Sequence, residues 1–374
     1  MVLVWGFSCR EARASDTLQV QQLLRGLYRT QMNHERYFPV GLFPSYRQYY
    51  FNAGVLKKDD NSFFTGLIAF TLRTLRPSLD PDAKMLCDSI LAAAAGALPK
   101  FQNRRGLPLY SFWQTRPIRY FPNSGVLSLF KANALPDDAD CTAICLLATG
   151  AAPATAKQVH DYLQGFSNNR VHKVRSTFRA YKRLPAYSTW LSHKVPIDFD
   201  VCVLANILYL VHQYQLPYTA ADSASLHLIS EVVRKREYLT DAVFASPYYN
   251  RPSIILYHLS RLMSVATIPV LEAQKEGMIE AAKGIYTQTA DLHEKLVLST
   301  ALLRWGVKDP YYLPPVPVHA PDKSGFVFFV ANMASMLPNP VNGWLTQSRL
   351  GRFDYYCPAY NDLLLLENLV WRGR

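Results

Sequence analysis

The chain has 374 residues, of which 49% are hydrophobic and 18% are charged, and its formal net charge is +12. This apolar fraction is enough for a large buried core and excludes an intrinsically disordered chain. No run approaches the roughly 18 uninterrupted apolar residues of a membrane span, and no basic segment precedes the short apolar run at the N-terminus. We therefore predict a soluble, cytoplasmic protein.

The cysteines and the basic residues predict neither a disulfide framework nor a nucleic-acid surface. The six cysteines are scattered, several within apolar helical patterns, so we expect reduced core residues. No CxxC pair or cluster of cysteine and histidine indicates structural zinc. Basic residues concentrate in residues 168–183, "NNRVHKVRSTFRAYKR", but no helix-turn-helix, RNA-binding signature or finger spacing accompanies them. No nucleic-acid partner is expected.

Two kinds of helical segment alternate along the chain. The first kind starts with a polar cluster and is apolar nearly all round, which predicts burial on every side. Its members are residues 58–75, 136–148, 198–214, 250–264, 292–306 and 358–370. The second kind is amphipathic or alanine-rich, which predicts an outer layer. Its members are residues 16–30, 82–98, 155–166, 222–236 and 269–286.

This alternation predicts an all-α fold in which buried helices form an inner ring and half-exposed helices cover them. We expect one domain over residues 1–374, an α/α toroid with about six inner and six outer helices and a short strand pair near residues 325–350. If the inner helices are parallel, their polar starts gather at one mouth. The residues concerned are Asp59, Asp60, Asp138, Asp140, Asp198, Asp200, Asn250 and Glu294. Each of them is also a suitable helix cap.

Residues 99–135 form an insertion rich in arginine and aromatic residues just before the second buried helix. A long connection of this composition is usually ordered and functional. We predict a lid or wall over the mouth that brings Trp113 near Asp140. Arg104, Arg105 or Arg116 would then be available for an anionic group.

The start of that helix, "PDDADCTA", contains one acid more than capping requires. Proline at the start places Asp137 or Asp138 at the cap position, so Asp140 is surplus to capping. Its apolar neighbours predict burial, which raises the pKa of a carboxyl group. Asp140 is therefore a candidate catalytic acid on physical grounds.

The same stretch resembles the motif of class II terpene cyclases, which include the squalene-hopene and bacterial diterpene cyclases. Asp138, Ala139, Asp140, Thr142 and Ala143 match the motif, and Cys141 stands where the family has its last acid. The resemblance implies an α/α toroid in which Asp140 is the general acid that protonates an alkene or epoxide. Asp137 and Asp138 would tune it. Several aromatic residues would line the isoprenoid site together with Asp60 and Asp200: Phe112, Trp113, Tyr120, Tyr187, Trp190, Tyr248, Tyr249 and Tyr257.

Three alternatives remain open at this stage. A carbohydrate-active α/α barrel would use a pair such as Asp60 and Asp140 as acid and base. A non-catalytic toroid is favoured by Cys141, which cannot supply the missing negative charge. A prenyltransferase-like zinc site would use Asp200, Cys202 and His258, whose types suit zinc.

The leading hypothesis is cyclisation or isomerisation of an isoprenoid, begun by Asp140. It requires no cofactor, with Mg²⁺ entering only if the substrate carries a diphosphate. The expected partner is the small-molecule isoprenoid. Peripheral membrane contact and a homodimer are compatible with the hypothesis, since a single barrel holds its ligand in its own mouth or uses a second subunit.

Overall fold

The fold was analysed in a computed structural model. It describes residues 3–35, 37–49, 55–121, 123, 130–131, 134–170, 172–307, 326–335, 337, 340–347 and 350–374, with the backbone alone at residues 3–15, 343, 346 and 347. Within these residues the chain is mostly helical, with one small antiparallel sheet. Among the helices so described, none is long and apolar enough to cross a bilayer.

The six segments predicted to be buried are helices in which more than half of the residues are buried. They are α2 (Ser62–Leu75), α4 (Ala139–Thr149), α6 (Val201–Gln213), α10 (Pro252–Val265), α13 (Leu292–Arg304) and α15 (Pro358–Arg372). Their side chains belong to one continuous apolar core cluster. Helices that are apolar on every face must be surrounded by other elements, and here they mainly surround each other.

The contacts among these six helices run in a closed order. Helix α2 packs on α4, α4 on α6, α6 on α10, α10 on α13, α13 on α15, and α15 on α2. Each helix therefore has two buried neighbours of the same kind. The first and last members of the series meet although they lie nearly 300 residues apart in sequence, as the contact between α2 and α15 shows.

The remaining helices are shorter or half-exposed. They are α1 (Leu3–Thr30), α3 (Pro81–Ala97), α5 (Pro153–Leu163), α7 (Ala220–Arg234), α8 (Glu237–Thr240), α9 (Ala242–Ala245), α11 (Pro269–Glu272), α12 (Lys275–Gln288) and α14 (Val341–Gln347). Helix α1 packs on α15 and α3, α3 on α2 and α4, α7 on α6, and α12 on α10 and α13. Four of the five predicted outer segments thus contain a helix packed against the buried ones, although α1 begins well before residue 16 and residues 269–286 are split between α11 and α12.

A four-stranded sheet corrects the all-α prediction. Its strands are β1 (Tyr46–Tyr49), β2 (Lys57–Lys58), β3 (Phe329–Asn332) and β4 (Arg352–Tyr356), in the order β2-β1-β4-β3. All pairs are antiparallel, with Tyr46 opposite Tyr356 and Phe329 opposite Tyr355. The strand pair predicted near residues 325–350 corresponds to β3 and β4, and β1 and β2 extend it into a larger sheet.

Acidic and amide side chains at the predicted helix starts do serve as caps. Asn61 accepts from the Phe64 N–H at the start of α2, and Asp138 accepts from the Cys141 N–H at the start of α4. Asp200 accepts from two N–H groups of the first turn of α6. Such oxygens satisfy N–H groups that have no partner within the helix.

The insertion joins the starts of α2 and α4. The Ser62 N–H donates to the Phe112 carbonyl, and the Asp138 N–H donates to the Tyr110 carbonyl. Ser62 Oγ also donates to the carbonyl of Ser111. Residues 110–113 therefore lie across the N-terminal ends of both helices. The part of the insertion at residues 122, 124–129 and 132–133 lies outside the described residues.

Helices α2 and α4 approach closely at Gly66. A Cβ atom added there would lie 2.9 Å from Cγ2 of Ile144 and 3.6 Å from Sγ of Cys145. Gly66→Ala should therefore destabilise the protein by about 1–3 kcal/mol, because overpacking a buried contact outweighs the better helix propensity of alanine. The measurement is the free energy of unfolding in urea.

Gly96, on the exposed side of α3, is the matched control. A Cβ atom there meets nothing within 4 Å, so Gly96→Ala should stabilise the chain by about 0.5–1 kcal/mol. Equal effects of the two substitutions would contradict the close approach of α2 and α4.

Candidate functional site

A cavity of about 300 Å³ lies at the N-terminal ends of α2 and α4, between the insertion and the sheet. Its lining combines aromatic residues with two carboxyl groups. The lining residues are Phe63, Phe112, Trp113, Phe121, Leu135, Asp138, Asp140, Cys141, Thr189, Trp190, Tyr248, Phe329, Ala331, Asn332, Met333 and Tyr355. The volume is at the lower end of the range for small-molecule pockets.

Phe329 on β3 is the centre of the aromatic lining. Its ring centroid lies 4.2 Å from Phe63, 5.6 Å from Phe112 and 5.7 Å from Tyr355. The Val330 N–H donates to the Tyr248 carbonyl, which fixes β3 beside another wall residue. The wall thus combines rings from α2, the insertion and the sheet. Interlocked rings of this kind hold each other in place.

Asp138 is a buried cap. Its Oδ1 accepts from the Cys141 N–H at 2.6 Å, while its Oδ2 is buried and accepts no hydrogen bond. Burial raises the pKa of Asp138 well above its ordinary value, and the nearby Asp140 raises it further. A carboxyl group in this setting is stable in its neutral form.

Asp140 lies one residue beyond the first residue of α4 and is held from two sides. The Asn206 side-chain amide donates to Oδ1 at 2.7 Å, and the Tyr249 hydroxyl donates to Oδ2. Burial raises the pKa of Asp140, whereas both of these hydrogen bonds and the positive charge of Arg261 lower it. The carboxyl is only 4% exposed, so its orientation is set by these partners.

Asn206 links Asp140 to a buried cation. Nη2 of Arg261 donates to Oδ1 of Asn206 at 2.6 Å. Asp140 on α4, Asn206 on α6 and Arg261 on α10 therefore form one chain through the interior. The Asn206 side chain directs its NH₂ group to the Asp140 carboxyl and its carbonyl oxygen to the Arg261 guanidinium, so the orientation of the amide is unambiguous.

Six of the predicted site residues line this one cavity: Asp138, Asp140, Phe112, Trp113, Trp190 and Tyr248. The indole N–H of Trp113 donates to Oδ1 of Asp59, and that of Trp190 donates to the Tyr248 hydroxyl. The insertion supplies Phe112, Trp113, Phe121 and Leu135 to the wall. Among the described residues, it therefore brings Trp113 to the cavity that contains Asp140.

The other predicted acids have structural partners and do not line the cavity. Asp137 accepts from Ser111 and Asn103, which fastens the insertion to the start of α4. Asp60 accepts from Gln114, Arg119 and Asn123. Asp200 caps α6. A buried carboxylate needs such donors, and these supply them.

The remaining predicted tyrosines do not line the cavity. Tyr249 lies behind the cavity as a hydrogen-bond donor to Asp140. Tyr187 donates to Asp222 at 3.0 Å, and Tyr257 donates to Glu367 at 2.5 Å. Tyr120 is half-buried and pairs with Ala134 in an isolated bridge. Tyr187 and Tyr257 therefore donate to acids at other parts of the fold, whereas Tyr249 acts on the cavity through Asp140.

Arg104, Arg105 and Arg116, which were predicted to be available for an anionic group, do not contribute to this cavity. All three side chains are exposed, and none lines it. Nη2 of Arg116 donates instead to the Arg104 carbonyl. A long cationic side chain on the surface keeps its charge in water.

The zinc alternative at Asp200, Cys202 and His258 is also wrong. No cluster of three metal-binding side chains occurs among the described residues, and these three are all described. Asp200 is occupied by four donors from Cys202, Val203, Ser246 and Tyr248. Burial raises the pKa of the Cys202 thiol well above its ordinary value, which opposes the thiolate that zinc requires.

Cys141 also lines the cavity. Burial raises the pKa of its thiol well above the ordinary value, and the neighbouring acids raise it further. Cys141 is therefore a neutral wall residue. The cysteines with described side chains, Cys87, Cys141, Cys145, Cys202 and Cys357, are free and buried, as predicted; the side chain of Cys9 lies outside the described part.

No family model, curated protein or solved structure matches this chain.

Asn206→Leu should cost about 3 kcal/mol or more of unfolding free energy, because it leaves Asp140 without one donor and Arg261 without its acceptor. Asn368 on α15 is the matched control, since it is equally buried but donates only to the neutral hydroxyls of Ser299 and Thr300. Asn368→Leu should cost about 1–2 kcal/mol, since hydroxyls find new partners more easily than charges. Urea denaturation of both variants compares them. Equal losses would show that the link between Asp140 and Arg261 has no special role.

Proposed function

We propose that the closed series of six buried helices is the inner ring of an α/α toroid, and that its aromatic cavity cyclises or isomerises an isoprenoid in the manner of class II terpene cyclases. The reaction begins when Asp140 protonates a carbon–carbon double bond or an epoxide. The observation that carries the proposal is the oriented, buried carboxyl of Asp140 in a cavity lined almost wholly by aromatic and apolar side chains.

The lining matches the chemistry of a carbocation better than that of a sugar. Isoprenoids are apolar, and the cations formed from them are stabilised by the faces of aromatic rings. Rings from Phe63, Phe112, Phe329 and Trp190 meet at this cavity. A carbohydrate site would offer several hydroxyl-binding groups, yet Asp60, the acid paired with Asp140 in that alternative, lies outside the lining.

Asp140 is better placed than Asp138 to transfer a proton. One oxygen of Asp138 caps α4 and the other has almost no accessible surface. Asp140 has donors on both oxygens, and each carboxyl oxygen offers a second lone-pair direction. Asn206 and Tyr249 thus orient the Asp140 carboxyl and leave one lone-pair direction on each of its oxygens. The neutral form favoured for Asp138 avoids a second negative charge at the same place.

In the proposed reaction the proton leaves Asp140 and bonds to an alkene carbon or to the epoxide oxygen, whose C–O bond breaks. The electron pair of the double bond forms the new C–H bond, and a neighbouring carbon becomes cationic. Attack by a second double bond closes a ring. Loss of a proton from the final cation to water gives a product with the substrate's composition, and solvent returns a proton to Asp140. After Asp140 has lost its proton, its carboxylate is stabilised by the hydrogen bonds from Asn206 and Tyr249. The positive charge of Arg261, which is bonded to Asn206, stabilises it further.

Asp140→Asn should abolish turnover of the polyprenyl compound that the wild type converts, because it removes the transferable proton while keeping the size of the side chain. Asp138→Asn is the matched control, since asparagine caps helices as well as aspartate does. It should reduce turnover by about tenfold at most, which is the effect of a neighbour that does not itself transfer the proton. Product formation is measured by gas chromatography over linear polyprenyl alcohols, epoxides and diphosphates of increasing length.

The pH dependence tests the same assignment. A general acid must be protonated, so turnover should fall as the pH rises through the raised pKa of Asp140. Loss of turnover in Asp138→Asn but not in Asp140→Asn would transfer the role to Asp138. Unchanged turnover in both would refute the acid mechanism.

Phe329→Leu tests the aromatic wall. It keeps an apolar side chain on β3 but removes the ring at the centre of the lining, so it should reduce turnover about tenfold and release early, incompletely cyclised products. Phe101→Leu is the control, because Phe101 is fully buried but does not line the cavity. If both variants lose the same small fraction of activity, the ring has only a packing role.

A further inference from the structure

A second cavity, of about 670 Å³, lies at the opposite ends of the six buried helices. Residues from the last turns of all six contribute to it, among them Phe70 of α2, Leu147 of α4, Tyr209 of α6 and Ser264 of α10. Its lining shares no residue with the aromatic cavity. It is therefore a separate site at the C-terminal ends of these helices.

The lining of this second cavity is strongly cationic. It includes Arg73, Arg261, Arg304 and Arg374 and no aspartate or glutamate. Glu367 lies next to it and forms a buried ion pair with Arg304. The lining side chains themselves therefore carry four positive charges and no negative one, and Glu367 adds a negative charge beside them. Both burial and the charge of Arg304 lower the pKa of Arg374, which agrees with an excess of positive charge.

Helix capping explains only some of these arginines. Nε of Arg73 donates to the Ala148 carbonyl in the last turn of α4 at 3.0 Å. Arg304 instead donates to the Tyr257 carbonyl in the middle of α10 and pairs with Glu367. Nη2 of Arg374 donates to the Thr74 carbonyl at 3.4 Å. Cations commonly occupy helix C-termini in this way.

Arg261 is different, because its guanidinium is buried without full satisfaction. It is 5% exposed, and its Nη2 donates to the Asn206 side chain, whereas its Nη1 has no hydrogen-bond partner. Its guanidinium lies 5.1 Å from the ring centroid of Phe70 and 5.5 Å from that of Tyr257, so it is held by aromatic faces. A buried donor of a charged group usually has an acceptor, since leaving it unmatched is costly.

We propose that the second cavity binds a phosphate-class oxyanion, with Arg261 at its base and Arg73 and Arg374 at its rim. Phosphate and diphosphate oxygens accept paired hydrogen bonds from guanidinium groups, and several arginines suit an anion with more than one charge. The volume accommodates a group larger than one phosphate. The proposal does not depend on the proposed function, because it concerns other residues and another ligand position.

The test is isothermal titration calorimetry of the full chain with inorganic diphosphate at constant ionic strength. Arg73→Gln and Arg374→Gln should each weaken binding about tenfold, since each removes one charged donor from the rim. Arg73→Lys keeps the charge and should weaken binding less. Both rim residues are exposed, so their substitution should leave the fold intact, which circular dichroism verifies.

Arg234→Gln on α7 is the matched control, because Arg234 is exposed and paired with Glu231 far from the lining. It should leave the dissociation constant unchanged. Three results would overturn the proposal. They are no measurable heat of diphosphate binding, dissociation constants of the two rim variants equal to that of the wild type, and an equally large loss of affinity in Arg234→Gln.

A second titration, with dimethylallyl diphosphate, distinguishes the source of the anion. Equal affinity for both compounds assigns the site to free diphosphate, and tighter binding of the ester assigns it to an esterified group. Either result supports the anion site. An Asp140→Asn variant that binds diphosphate normally but lacks turnover would separate this site from the proposed reaction.

Discussion

The interior of this protein is organised around a carboxyl group and a guanidinium that are buried together but do not touch. Asp140 and Arg261 lie on different helices, and the Asn206 side chain connects them by accepting from one and donating to the other. Burying either charge alone would be costly, so the three residues must be placed together. This requirement aligns α4, α6 and α10, and it ties the floor of the aromatic cavity to the arginines at the opposite helix ends.

The same helix starts serve the fold and the site. Asn61, Asp138 and Asp200 satisfy N–H groups at the starts of α2, α4 and α6. Because capping employs Asp138, the neighbouring Asp140 is free to form other contacts. The pKa of an acid in the first turn of an apolar helix is then raised by burial rather than by a dedicated partner. The chemistry of the site therefore follows from how the helix begins.

Helix periodicity and polar starts were enough to locate all six buried helices and the insertion, because these signals are local. The pattern in residues 136–148 also placed Asp140 inside the helix, but it left the cap position open between Asp137 and Asp138, and the structure assigns it to Asp138. Whether the six helices form a toroid remains a prediction. Local signals also cannot show that Tyr249 donates to Asp140 rather than lining the cavity. That contact depends on how a segment more than 100 residues away packs against α4.

The features that the sequence did not predict were missed for one reason, namely that each depends on contacts between distant segments. Strand β1 is short, mixes charged with aromatic residues, and pairs with β4 from the other end of the chain as well as with the two-residue β2. Phe329 and Tyr355 therefore looked like ordinary aromatics. Asn206 and Arg261 sit in otherwise apolar helices, where a single polar residue has no periodic signature. Their roles become visible only when three helices are brought together.

Pairing of β1 with β4 has a consequence for how the protein folds. Tyr46 lies opposite Tyr356, and α2 packs on α15, so the two ends of the chain must meet before either contact can form. Bringing such distant segments together costs chain entropy that is offset only when the contacts are complete, and topologies of this kind fold slowly. Tyr355 arrives with β4, so the aromatic cavity is completed late. Until then its apolar rings face water, and this is the stage at which the chain is most exposed to aggregation.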